Sequence, residues 1–212
     1  MRDLRILIDN KLAMSQYIHA IVNKAQSRAS LIFNCFHSKH RATLLKAFVT
    51  YVRPLLEYAS PVWSPSTVTD NQNRISTTII YKRLPGLKSL SYSKRLEVLD
   101  IDSLEVRRLR CDLIYVHKML FGLVDLNFND YFTLKLSSTT PGHDYKVFLN
   151  FSRLNVRKHF FSEKIVTVWN NLQCSVIDFS SIKRFKTSLL LCDFAKYVGY
   201  VSNCVVCTSG HQ

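Results

Sequence analysis

Glycine and proline are scarce in this 212-residue sequence, five of each, less than half the ordinary share of about 12%. So few turn formers argue against a many-stranded sandwich or barrel and favour a mostly helical fold. Acidic residues are short as well: fifteen Asp+Glu face twenty-nine Lys+Arg, a formal charge of +14 and a pI near 9.7. No apolar run reaches the roughly 18–20 residues of a membrane-spanning helix. The start, Met1-Arg2-Asp3-Leu4-Arg5 followed by Ile6-Leu7-Ile8, is too short an apolar stretch for a signal-peptide core. Six scattered cysteines without a secretory signal read as reduced thiols, and the expected location is intracellular, in the nucleus or cytosol.

Common catalytic signatures are missing too. Gly86, Gly122, Gly142, Gly199 and Gly210 lie far apart, so no loop matches a dinucleotide or P-loop phosphate cradle. There is no His-Glu-x-x-His helix and no Gly-x-Ser-x-Gly elbow. Two-metal phosphoryl transfer needs converging carboxylates. Here no two acidic residues adjoin, and the nearest pair, Asp100 and Asp102, precedes a helix signal. The residues offer no catalytic set. Cys204-Val-Val-Cys207 with His211 has metal-like spacing, but a structural zinc site closes with four ligands. The plainer expectation is a disordered tail over 201–212.

What is present is helical periodicity. Ile18, Ile21, Val22, Ala25, Ala29, Ile32, Phe33 and Phe36 form one stripe, with Ser15 as the expected cap. A second helix runs from about His40 to Pro54, where it must kink or restart, and its continuation is expected to end at Pro61 and Pro65. Asp70–Leu84 carries a stripe through Ile75 and Ile79, and Ser91 or Ser93 opens a short helix with Leu96 and Leu99. Ser103 begins a helix through Val106, Leu109, Leu113, Val116 and Leu120, ended by Gly122. Phe161, Ile165, Val168 and Leu172 define another, and Ser180 or Ser181 caps the last. The expected class is mainly α, about seven helices, with a short N-terminal strand over 4–8 turned by Asp9-Asn10. A small hairpin could pair Thr133–Leu136 with Tyr145–Leu149.

The positive charge is uneven. Residues 1–53 hold nine basic and two acidic side chains, and 81–120 hold nine and five. Three clusters stand out: Lys82-Arg83 with Lys88, then Arg107, Arg108 and Arg110, then Arg153 with Arg157-Lys158-His159. At 100° per residue Arg107 points away from the apolar stripe and Arg108 and Arg110 flank it, so all three are expected at the solvent. Such clusters suit phosphate contacts, with a solvated helix face as the plain alternative. An anionic membrane surface is the weaker fit, since no helix joins a bulky apolar face to a dense basic one.

Tyr51-Val-Arg-Pro-Leu-Leu-Glu-Tyr-Ala-Ser-Pro-Val-Trp63-Ser-Pro65 is the most specific phrase in the chain. It resembles a thumb-region helix of the reverse transcriptases of non-LTR (LINE-type, jockey-like) retrotransposons. Asp3 to Leu12 resembles the strand and turn that close the family's polymerase palm. Leu84-Pro-Gly-Leu87, Arg107-Arg108, Ser152-Arg-Leu-Asn-Val-Arg-Lys158 and Trp169-Asn-x-Leu172 continue the likeness, which runs collinearly over roughly residues 3–190. Pro141 stands where arginine often precedes Gly142-His143, Gln173 where proline is usual, and His117 where tyrosine is usual.

The resemblance implies a thumb-like region over 1–90 and a C-terminal helical region over 91–200. It implies the C-terminal portion of an RNA-directed DNA polymerase, whose metal-binding Asp-Asp segment and endonuclease belong upstream. The chain itself would then hold no cofactor, and magnesium would bind the palm. The implied partners are RNA and DNA, bound non-specifically, and the upstream polymerase domain. Arg153, Arg157 and Lys158 are the first candidates for phosphate contact, then Arg107, Arg108 and Arg110, then Lys82 and Arg83. Two other readings stay open: a non-catalytic helical remnant with a structural or protein-interaction role, and a small independent enzyme.

Overall fold

The long apolar stripe of the N-terminal third folds as a single helix, α1 (Ser15–Cys35), which buries Ile18, Ile21, Val22, Ala25 and Ala29. The computed structural model describes residues 2–3, 6–7, 14–37, 39–63, 77–78, 80–135, 142–149, 160–194 and 197. The chain is mainly helical, with nine α-helices and one short 3-10 helix among the described residues. None of the helices there is long and apolar enough to cross a membrane. The chain divides into two units, residues 1–104 and 105–212, where the sequence reading divides it after residue 90.

In the first unit, β1 (Arg2–Asp3) pairs antiparallel with β2 (Ile6–Leu7), so the expected single strand is a minimal hairpin. The Asp9-Asn10 turn lies outside the described residues. Helix α1 begins at Ser15, but Met14 is its N-cap and no side chain bonds the first turn, so Ser15 is not the cap. Helix α2 (Arg41–Tyr51) is followed directly by α3 (Arg53–Glu57), with Pro54 in the first turn of α3. Proline has no N–H to lose there and its fixed φ suits a helix start.

The same physics corrects the expectation for Pro61. It does not end a helix but opens α4 (Ser60–Trp63), after Ala59 has reversed the chain at φ 54°. Pro65 lies outside the described residues. Trp63 is buried on Tyr17 in an edge-on contact (ring centroids 5.6 Å apart), and its Nε1 donates to the Tyr58 carbonyl at 2.6 Å.

Further helical residues lie at 77–78 and 80–82 and are followed by a turn containing Gly86 at φ 78°; Ile75 and Ile79 fall outside the described residues. Ser91 caps α5 (Tyr92–Leu99) by accepting from the Lys94 N–H at 3.3 Å. Leu99 and Leu104 then bury with Phe48, Val52, Leu56 and Tyr81 in the core of this unit.

The second unit is built on α6 (Leu104–Leu120), which enters it at Glu105. Gly122 at φ 63° ends α6: its N–H donates to the Met119 carbonyl at 3.3 Å and Leu123 donates to Lys118 at 2.8 Å. This is the paired C-terminal bonding that a left-handed residue permits. Leu134 bridges Val147 antiparallel, with Lys135 N–H to Lys146 O at 2.7 Å and Phe148 N–H to Thr133 O at 2.8 Å. The expected 133–149 pairing therefore exists as one bridge.

The stripe through Phe161 and Val168 is split at Ile165 into α7 (Phe161–Lys164) and α8 (Val166–Asn170). That break, with the restarts at Pro54 and Pro61, explains why the helices outnumber seven. Ser181 caps α9 (Ile182–Leu189) by accepting from Arg184 N–H at 3.3 Å. Leu113, Val116, Ile165, Trp169, Phe185 and Leu189 fill the core, each no more than 0% exposed.

Candidate nucleic-acid interface

Between Asp9 and Glu57 the chain has no acidic residue: residues 10–56 carry seven Lys+Arg and no Asp or Glu. Helices α1 and α2 fall entirely in this stretch. Lys24, Arg28, Lys39, Arg41 and Lys46 are exposed, and Glu57, the first carboxylate after it, pairs with Arg53 at 3.4 Å. A run of exposed cations of this kind attracts phosphates at long range. The sequence clusters alone do not show this, because these residues are spread along two helices and only the missing acids mark them.

Arg28, on α1, and Arg83, which reaches α1, are each held by a hydrogen bond. Arg28 Nη1 donates to the Tyr51 carbonyl at 3.2 Å. Arg83 Nη1 donates to Ser30 Oγ at 3.2 Å, and its guanidinium lies over the Phe33 ring at 4.5 Å. Both side chains remain exposed. A cation stacked on an aromatic ring is oriented without being neutralised, so Arg83 keeps its charge for an outside anion. Lys82 beside it is also exposed.

The three arginines of α6 do not share one surface, which corrects the expectation that all face solvent. Arg108 is buried at 4% exposure, and Arg107 and Arg110 are half-buried. The apolar stripe defines one side of α6, but α7 packs over its flank. There Lys164 Nζ meets Asp112 Oδ2 at 2.8 Å, and Tyr115 meets Phe161 edge-on at 5.7 Å. Arg108 sits one turn from Asp112 and its charge acts on that carboxylate. Burial pushes the Asp112 carboxyl above its ordinary range, against the opposing pull of Lys164 and then Arg108. Arg110 reaches the Phe194 ring, 5.8 Å from its centroid. Arg108 therefore serves the fold.

Arg95, which no charge cluster marks, is likewise structural. It is 5% exposed, with Nε donating to Leu87 O at 2.9 Å and Nη2 to Lys88 O at 3.3 Å. It closes the turn after Leu84 from within α5.

Arg153, Arg157 and Lys158 lie outside the described residues, as do Cys204, Cys207 and His211. Among the described residues no three His, Cys, Asp or Glu side chains come together as a metal site.

No protein-family model matches the chain, and no solved structure matches it significantly. An uncharacterized protein of Caenorhabditis elegans, B0403.1, is 27% identical over 157 residues, spanning 72% of this chain and 78% of its own length.

Proposed function

We propose that this chain is the C-terminal, thumb and post-palm portion of a non-LTR retrotransposon reverse transcriptase. In this reading it grips template RNA and DNA non-specifically, beside an upstream polymerase domain, inside the cell and in the nucleus. The identity rests on the collinear motifs of residues 3–190. The gripping role rests on the acid-free stretch of α1 and α2, whose lysines and arginines stand exposed. Lys82 and Arg83 extend that surface in the first unit. In the second unit Arg107 and Arg110 and, from the sequence, Arg153, Arg157 and Lys158 are the contacts proposed.

Fluorescence anisotropy with labelled single-stranded RNA and with duplex DNA, over 25 to 250 mM KCl, tests this role. Each neutralised phosphate adds about 0.7 (single strand) to 0.9 (duplex) to the salt slope. Reversal of Arg153, Arg157 and Lys158 to Glu should lower that slope by about two for the single strand and nearly three for the duplex. A chain that stays folded and binds neither probe at the lowest salt removes the gripping role and leaves the helical remnant.

A further inference from the structure

Two buried histidines converge on one residue of the second unit. His117, from α6, is 1% exposed and its Nε2 lies 3.2 Å from the Phe179 carbonyl oxygen. Its ring lies between Phe121 and Phe185, with centroids 4.4 Å away in each case. His143, from the bridged segment 142–149, is 6% exposed, and its Nε2 lies 2.8 Å from the Trp169 carbonyl oxygen. Its ring meets Phe179 at 4.9 Å and Trp169 at 5.8 Å. Phe179 also touches Tyr145, Trp169 and Phe185, so its ring and carbonyl anchor the segment Gln173–Ser181, together with buried Ile177 and the Asp178 N–H donated to Ser188 Oγ at 3.2 Å.

A carbonyl oxygen only accepts, so Nε2 carries the proton in both rings and Nδ1 is the bare nitrogen. Both Nδ1 atoms are buried without a hydrogen-bond partner among the described residues. A second proton would create a charged ring whose new N–H meets no acceptor, a costly state inside an aromatic core.

We propose that His117 and His143 form an acid-sensitive latch that holds Gln173–Ser181 against α6 and α8 while neutral and releases it when protonated. The surroundings offer little to offset that charge. Helix α8 has no ionisable side chain, and Lys183, Arg184 and Lys186 of α9 are all exposed. From α6, Asp112 is taken up by Lys164, and Lys118 is itself a cation. On the bridged segment, Lys146 opposes a charge on His143 and Asp144 favours it; Lys135 on the facing strand is a further cation, and Tyr145 is neutral below alkaline pH. Next to Phe179, Asp178 is engaged by Ser180 and Arg184.

Burial holds both histidines below the ordinary imidazole range, against the pull of each carbonyl bond. The sign follows. The unfolded segment binds protons near pH 6.5 and the closed one does not, so the latch is fully closed above that pH and weakens as pH falls below it.

Hydrogen exchange on the full chain at pH 7.5 and 5.5, expressed as protection relative to intrinsic rates, reads the latch directly. The amides of Val176, Ile177 and Asp178 should lose protection, by at most about tenfold per histidine and about a hundredfold for the pair. Residues 92–99 of the first unit provide the internal reference. In the H117Q/H143Q variant, glutamine can still donate to the same carbonyls but takes up no proton, and the loss should vanish. An unchanged protection in the native chain, or a loss that persists in the variant, overturns the proposal. If the variant is unfolded at pH 7.5, imidazole NMR titration of the native chain decides. Midpoints below 6.5 that coincide with broadening of the Phe179 ring signals support the latch. Midpoints at 6.5 or above, or an unperturbed Phe179, refute it.

Discussion

Lys164 Nζ sits 2.8 Å from Asp112 Oδ2, and the two side chains are only 12% and 2% exposed. The pair joins α7 to α6 where Asp112 is closed to water and Lys164 nearly so. Removing one member leaves the other charge buried, whereas removing both leaves only a packing problem. Lys164→Met should therefore destabilise the second unit by about 3 kcal/mol. The double variant with Asp112→Leu should recover most of that loss. Urea unfolding followed at Trp169, in a Trp63→Phe background, measures both. A single variant as stable as the native chain would show that the pair contributes nothing.

Asn170 acts as a piece of β-strand. Its Oδ1 accepts from Val147 N–H at 2.9 Å and its Nδ2 donates to Val147 O at 2.8 Å. Beside it, Trp169 Nε1 donates to Tyr145 O at 2.7 Å. The adjacent Trp and Asn thus pin the bridged segment to α8 through its backbone, which gives the Trp169-Asn-x-Leu172 motif a physical role. Asn170→Ala should cost about 2 kcal/mol, because two buried backbone groups lose their partner. Asn170→Asp should cost at least as much, since a carboxylate faces the Val147 carbonyl. Thermal unfolding ranks the three proteins, and Asp behaving like Asn would contradict the assigned bonds.

The helices were legible because apolar spacing alone dictates which face is buried: Leu113, Val116 and Leu109 announce α6 without help. Local punctuation is legible at Pro54 and Gly122, whereas Ser91 and Ser181 are each one of two candidate caps in the sequence and only the structure chooses between them. Pro61 is not legible, because proline both ends one helix and begins the next, and the deciding reversal at Ala59 has no sequence signal. Arg108 departs from its helical-wheel position because the wheel shows the stripe of its own helix but not the width of what packs on it. Arg95 gave no signal either, since its partners are carbonyls and carbonyls belong to every residue. The exposed cations of α1 and α2 show in the sequence only as a regional excess of charge over residues 1–53, since no local cluster marks them.

Arg95 is matched to its site by shape as well as charge. Its planar guanidinium reaches two carbonyls at once, Leu87 O and Lys88 O, which a single ammonium at the end of a flexible stem does poorly. Arg95→Lys should lose about 2 kcal/mol of stability in the first unit despite keeping the charge. Nucleic-acid affinity at a temperature where the variant stays folded should be unchanged. Equal stability of the Lys variant and the native chain would refute the two-carbonyl role.

Arg83 and Arg108 look alike in the sequence and should behave oppositely. Arg83 is exposed and lies over Phe33, while Arg108 is buried one turn from Asp112. Reversing Lys82 and Arg83 to Glu removes two potential phosphate contacts and adds repulsion, so RNA affinity and the salt slope should both fall. Stability should change by no more than about 1 kcal/mol, the worth of an exposed cation–ring contact. Arg108→Met should instead lower stability by several times that amount, since it strips a neighbouring charge from buried Asp112. Affinity of the fraction that remains folded should be near native. Anisotropy and urea unfolding on the same preparations separate the two effects. If Arg108→Met weakens binding without loss of stability, its place is on the nucleic-acid surface and the burial-based division of the basic residues fails.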